Sequence, residues 1–321
     1  MHTCPPPHDD VDDWLEAHPS TNANFGHLLL LQKKIDHKSI CQALCPYFES
    51  AHLDARQVFH ADIGIDLHPD AKDDDEIAIQ YPGCLPLTTL KGLFGEVMAG
   101  LVTECYNLVG GYKWRIPIFL FRFHEDARNY LFNLARNPKM KRQTIGRFGS
   151  DFIGLLLDET GSVVRFIAGE AKWRKKLTPS TVDAVMHGAK IDNPNGGPQV
   201  HSGKGVWNAV NNDPPVPIGV RQLMRLLEEN DPEGYDAAIL SMERALILHN
   251  PKPLPRTNLV LIVGNGAPTR EKMECLLPYE GMPEDYTAEH DLQLVEVVLQ
   301  NGEELINAIY KSLWSARGID A

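Results

Sequence analysis

Hydrophobic positions along the chain follow two patterns. Leu90, Leu93, Phe94, Val97, Met98, Leu101 and Val102 recur at three- and four-residue spacing, the apolar stripe of a helix running to about Leu108. Thr88 or Thr89 is placed to cap its start, and the Gly110-Gly111 pair to end it. Elsewhere the apolar runs are short and nearly continuous, as in strands covered on both faces. They predict strands at 28–32 (LLLLQ), 58–67 (VFHADIGIDL), 77–81 (IAIQY), 113–123, 152–157 (FIGLLL), 162–173 (SVVRFIAGEAKW), 258–266 (NLVLIVGNG) and 292–299 (LQLVEVVL).

Punctuation supplies the remaining elements. Helices are predicted from Ser39 to Phe48, over 125–137 with Asn137-Pro138 as the stop, and after the cap-then-proline pair Thr178-Pro179. Further helical pieces fall around Val206 to Val210, at 217–229 and 232–247, and at 302–314. The DETG turn (158–161) joins two of the strands into a hairpin. Residues 1–24 read as poorly ordered, 68–76 as an acidic loop and 191–215 as loop-rich. The expected fold class is α/β, with a central mixed β-sheet flanked by helices. A partly ordered acidic region (1–84) precedes the main domain (85–321).

The 321 residues are 43% apolar and 23% charged, as in ordinary globular proteins. No run approaches the about 18 apolar residues of a membrane helix, and the start lacks a basic, apolar leader, so no membrane role and a cytoplasmic location are expected. The six cysteines form no zinc spacing; Cys41 and Cys45 lack a second pair and read as free thiols. A net charge of −12 argues against nucleic acid until its distribution is considered. Residues 1–80 hold 15 acids and 5 bases, whereas residues 111–176 hold 14 bases and 6 acids. A basic middle is what phosphate binding requires, although the same charges also suit a solvated face paired with the acidic N-terminal part.

The candidate chemistry lies in this middle. Asp151 stands at the start of the hairpin's first strand, and Glu170-Ala171-Lys172 lies near the end of its second. Strand alternation puts Glu170 and Lys172 on one face, and the hairpin returns Asp151 toward them. Two carboxylates and an ammonium suit metal-dependent phosphodiester hydrolysis. Asp151 and Glu170 would hold Mg2+ or Mn2+, with Lys172 orienting the attacking water or taking its proton. Arg147, Arg174, Lys175 and Lys176 would contact phosphates. Alone, Glu-x-Lys is more often a solvated ion pair; its combination with the aspartate, the hairpin and the basic surround points to a site.

The segment from Asp151 to Lys172 resembles the core motif of the PD-(D/E)XK nuclease superfamily, with Ser150 at the usual proline position. Gly95-Glu96, Gly149-Ser150-Asp151-Phe152 and Gly169-Glu170-Ala171-Lys172 resemble, more narrowly, the HamA nuclease subunits of Hachiman-type anti-phage defence systems, over roughly residues 85–190. The superfamily resemblance implies a restriction-endonuclease-like core and a DNA endonuclease. The narrower one implies an effector held in check by a helicase (ATPase) partner and released by phage-associated DNA damage. In many enzymes of the superfamily a helix glutamate joins the metal site, so Glu96 is either a third ligand or an ordinary surface glutamate. The competing function is a non-catalytic DNA-binding or assembly subunit on the same scaffold.

Other signals carry less. GNGAPT after the strand at 258–266 lacks a dinucleotide fingerprint's third glycine, and HSGKG (201–205) lacks the first glycine and final Ser/Thr of a phosphate loop. The loop that holds the latter could touch DNA or order on binding, but reads better as exposed linker. His124, His187 and His201 make no ligand set, and Trp114 and Trp173 read as core.

Overall fold

A computed structural model describes residues 1–33, 36–63, 80–123, 150–194, 196–246 and 253–314. Its helices are α1 (His8–Trp14), α2 (His37–Ile63), α3 (Leu87–Cys105), α4 (Pro179–His187), α5 (Val206–Asn212), α6 (Val220–Asn230), α7 (Asp236–Leu246) and α8 (Gly302–Ser312). Its strands are β1 (Leu15–Asn22), β2 (Phe25–Gln32), β3 (Phe152–Leu157), β4 (Val163–Leu177), β5 (Lys190–Ile191), β6 (Val200–His201), β7 (Arg256–Gly266) and β8 (Asp291–Leu299). Six form one mixed sheet in the order β1-β2-β8-β7-β4-β3, and β5 and β6 form a small hairpin. The four inner strands are parallel, while β1 and β3 are antiparallel edges. This is the expected α/β architecture, a mixed sheet flanked by helices.

Strand alternation divides the core between the two faces. Ile167, Ala171, Trp173, Leu259, Leu261, Val295 and Val297 point to the face covered by α2, α3 and α8. On the other face, Val260, Ile262, Leu292 and Leu294 pack beneath α4 and α5. Phe166 and Ala168 lie on that same face farther back along β4, beneath α6 and α7. Continuous apolar runs are needed because both faces are covered.

Several expectations are corrected. Residues 8–32 are ordered as α1 and a β-hairpin, with Trp14 fully buried. Strand β1 (LEAHPSTN) escapes notice because it is an edge with one wet face, where polar residues and Pro19 are tolerated. The strands β1 and β2, both before residue 85, belong to the same sheet as the hairpin. No strand begins at Val58. Phe48, Ala51, Ala55 and Phe59 recur as a helical stripe, and α2 continues through Ile63.

In the run 113–123 only Arg115 bridges Leu155, after which Leu120–Phe123 turns as a 3-10 helix. Pro117 has no N–H to give a ladder. Tyr81 lies in a turn rather than a strand. Helix α3 is capped by Pro86 rather than a threonine, and it ends at Cys105, five residues before the glycine pair. The expected loop 68–76, the helix 125–137 and His124 lie outside the described residues, as do residues 64–67 and 77–79 of the other two runs. The hairpin β3–β4 and the strands β2, β7 and β8 fall where the apolar runs place them. So do α4, which Thr178 caps through the Thr181 N–H at 3.2 Å, and α5 to α8.

Candidate active site

The site is built at the end of the β3–β4 ladder. Phe152 pairs with Gly169, and the Asp151 N–H donates to the Gly169 carbonyl at 2.8 Å. There β3 stops, while β4 continues to Leu177 with β7 on its other side. The Asp151 side chain takes over from the missing strand, its Oδ2 accepting the Ala171 N–H at 2.8 Å. Gly169 is required here: a Cβ would land on the Leu259 carbonyl oxygen of the neighbouring strand.

Glu170 and Lys172 point away from α3, into the gap between the two apolar coverings of the second face. The Lys172 ammonium donates to Asp151 Oδ2 at 2.8 Å and to Glu170 Oε2 at 2.6 Å. Both carboxylates are largely buried, at 15% exposure, and Lys172 is 33% exposed. Burial, and then repulsion from Asp151, push the Glu170 carboxyl up to about 7 against the pull of Lys172. Burial acts to lower the Lys172 pKa, but Asp151 and Glu170 outweigh it and hold the ammonium charged beyond the usual lysine range. One positive charge thus faces two acids.

Two clefts meet at this cluster. One, of about 740 Å3, is bounded by Glu170, Lys172, Arg174, Ser202, Lys204 and Ala209. The other, of about 400 Å3, is bounded by Asp151, Glu170, Lys172, Ala209, Asp213 and Arg256. Helix α5 stands over the cluster between them, presenting Ala209 to both. Beyond Asp151, Ser150 donates to Asp213 Oδ2 at 3.3 Å, and Asp213 pairs with the buried Arg256. The serine at the usual proline position therefore ties the start of β3 to the segment after α5.

The candidate residues separate accordingly. Asp151, Glu170 and Lys172 come together. Arg174 shares the larger cleft, where burial lowers its pKa. Lys175 points to the other side of the sheet and pairs with Glu303 of α8 at 3.3 Å. Lys176 is exposed, and Arg147 lies outside the described residues. Glu96 is neither at the surface nor on the Glu170 side. It is buried on α3 across the sheet, where its charge raises the pKa of the buried Tyr81 and Tyr310 hydroxyls beyond the effect of burial.

The HSGKG loop, read from the sequence as exposed linker in preference to a DNA contact, brings Ser202 and Lys204 to the cleft. Its backbone is clipped to the end of α4 by Ser202 N–H to Ala189 O (2.9 Å) and Gly203 N–H to His187 O (3.1 Å). His201 Nδ1 donates to the Gly188 carbonyl at 2.9 Å. A Cβ at Gly205 would meet the Met186 carbonyl, so glycine permits the approach. The glycine spacing of that loop was the available signal.

The chain matches no protein-family model and no curated protein.

Proposed function

We propose that this chain is a metal-dependent DNA nuclease with a restriction-endonuclease-like core of the PD-(D/E)XK type. The observation that carries the proposal is the convergence of Asp151 and Glu170 on one cation, the Lys172 ammonium, beside a cleft bearing Arg174 and Lys204. The succession α3, the hairpin β3–β4 and the parallel strand β7 supports it, since it hangs the acids on adjoining strands.

The donor set fits Mg2+ or Mn2+: Asp151 and Glu170 are hard oxygen ligands already gathered around a positive charge. Such an ion, when bound, activates water and offsets charge on the phosphate. Lys172, held protonated, acts as a fixed charge toward phosphate or attacking water rather than as the base. Arg174 and Lys204 position the substrate backbone, a role that carries no sequence readout. On the sequence resemblance alone, the proposal extends to an anti-phage effector controlled by a helicase partner.

The test is plasmid cleavage with Mg2+, by the protein alone and with a candidate helicase. Cleavage lost in Glu170→Ala and Lys172→Ala, with circular dichroism unchanged, supports the reading; cleavage undiminished in both overturns it. A wild-type protein that binds DNA and cuts none, with or without the helicase, favours the scaffold alternative.

A further inference from the structure

We propose that His27, Cys275 and Glu296 form a zinc site, separate from the Asp151 cluster and tying the long β7–β8 connection to the sheet. His27 on β2 and Glu296 on the adjoining β8 are both buried, and Cys275 comes from the connection. One ligand atom from each lies within 4.8 Å of the others. His27 Nε2 and Glu296 Oε1 are 3.0 Å apart. Two ligands of a tetrahedral zinc with bonds of about 2.0–2.1 Å stand roughly 3.3 Å apart, so this pair is already at coordination spacing. The sulfur needs to close by about 1 Å to reach its own bond length of about 2.3 Å, a movement open to an exposed side chain.

The backbone holds Cys275 in place from both sides. Before it, Arg270 donates to the carbonyls of Glu271, Lys272 and Glu274. After it, the Leu276 and Leu277 N–H groups donate to the Glu296 carboxylate, at 2.9 Å each to their nearer oxygens. The backbone at Cys275 is therefore held beside the His–Glu pair, while its exposed side chain is left to turn toward them. Thiolate and imidazole favour zinc over magnesium, which sets this donor set apart from the all-oxygen acids of the other cluster. Binding displaces the Cys275 thiol proton and uses His27 in the tautomer with Nε2 unprotonated, while solvent reaches the fourth position past the exposed cysteine.

The test uses the full chain, purified without added metal, dialysed, and titrated with Zn2+ or Co2+. Expected are one zinc per chain by elemental analysis, a thiolate-to-cobalt charge-transfer band, and a melting temperature that rises with zinc. In Cys275→Ser the band disappears and zinc affinity falls at least roughly tenfold, with circular dichroism unchanged. Asp151→Asn retains both signals, so failure of the nuclease reading leaves this result standing. Wild-type protein that binds neither ion, full retention in Cys275→Ser, or loss only in a Cys41→Ser/Cys45→Ser variant would overturn the proposal.

Discussion

Asp151 supplies the hydrogen-bond acceptor for the Ala171 N–H at 2.8 Å, taking the place of the strand that begins only one residue later. One carboxylate thus closes the ladder and faces the Lys172 ammonium. The two duties are separable. Asp151→Asn keeps an acceptor for Ala171 and should leave the melting temperature within a few degrees of wild type while cutting Mg2+-dependent cleavage at least about 100-fold. Asp151→Ala loses the acceptor as well and should lower stability by about 1–2 kcal/mol in urea unfolding. Equal stability of the two variants would show that the backbone bond contributes nothing.

Removing the ammonium leaves two acids facing each other. Lys172→Met should lower stability by roughly 1–3 kcal/mol at pH 8, and by less at pH 5, where Glu170 is protonated. In the wild type, the lysine's raised folded pKa makes its contribution complete below the unfolded lysine value and lost as pH rises through the folded one. Denaturant titrations at the two pH values check the variant; a loss independent of pH would separate Lys172 from Glu170.

In the proposed nuclease, Glu170 should set the acid limb of activity. Its pKa of about 7 means that at limiting Mg2+ cleavage should rise with pH through about 7 and then level off, because only the carboxylate binds metal. Raising Mg2+ should move the midpoint to lower pH. By the same linkage, the raised folded pKa favours the folded protein below the unfolded carboxyl value, an advantage lost as pH rises through about 7. Initial rates at several Mg2+ concentrations check the activity limb, and a midpoint insensitive to metal would assign it to another group.

Two glycines of the motif region should behave oppositely. Gly169→Ala drives a methyl into the Leu259 carbonyl and should cost at least about 3 kcal/mol. At Gly95 the same methyl meets Ala171 at an ordinary 3.7 Å, and alanine should stabilise α3 by roughly 0.5–1 kcal/mol. Thermal melts of the purified variants decide both.

Within the basic set, Lys204→Ala should weaken DNA binding and reduce the slope of log affinity against log salt by about 1. Lys175→Ala, whose side chain pairs with Glu303 across the sheet, should change neither by more than about twofold. Salt-series fluorescence anisotropy separates them; equal effects would mean that DNA contacts both faces.

What the sequence disclosed about this site follows from the range of the interactions involved. Glu170 and Lys172 share a face by strand alternation, and Asp151 meets them through a short hairpin, so all three are legible locally. The position of Glu96 is not, because α3 is buried along most of its length and adjacency to Val97 does not identify a face. Lys204 reaches the cleft largely through backbone bonds that clip its loop to the end of α4, and the glycine spacing alone does not say where that loop docks. Strand β1 is hidden by its polar edge, and the end of α2 by apolar residues that suit a strand as well as a helix.

The Asp151–Lys172 pair closes a loop of only 21 residues, whereas His27 and Glu296 are 269 apart along the chain. By loop-closure entropy alone, bringing the first pair together costs about 2 kcal/mol less than the second. The two acids and their lysine are thus gathered by a local hairpin, whereas the far side of the sheet is completed only when β2 meets β8. Loosening β1 and β2, which lie at the opposite edge of the sheet from β3, would therefore leave the acids and their lysine together.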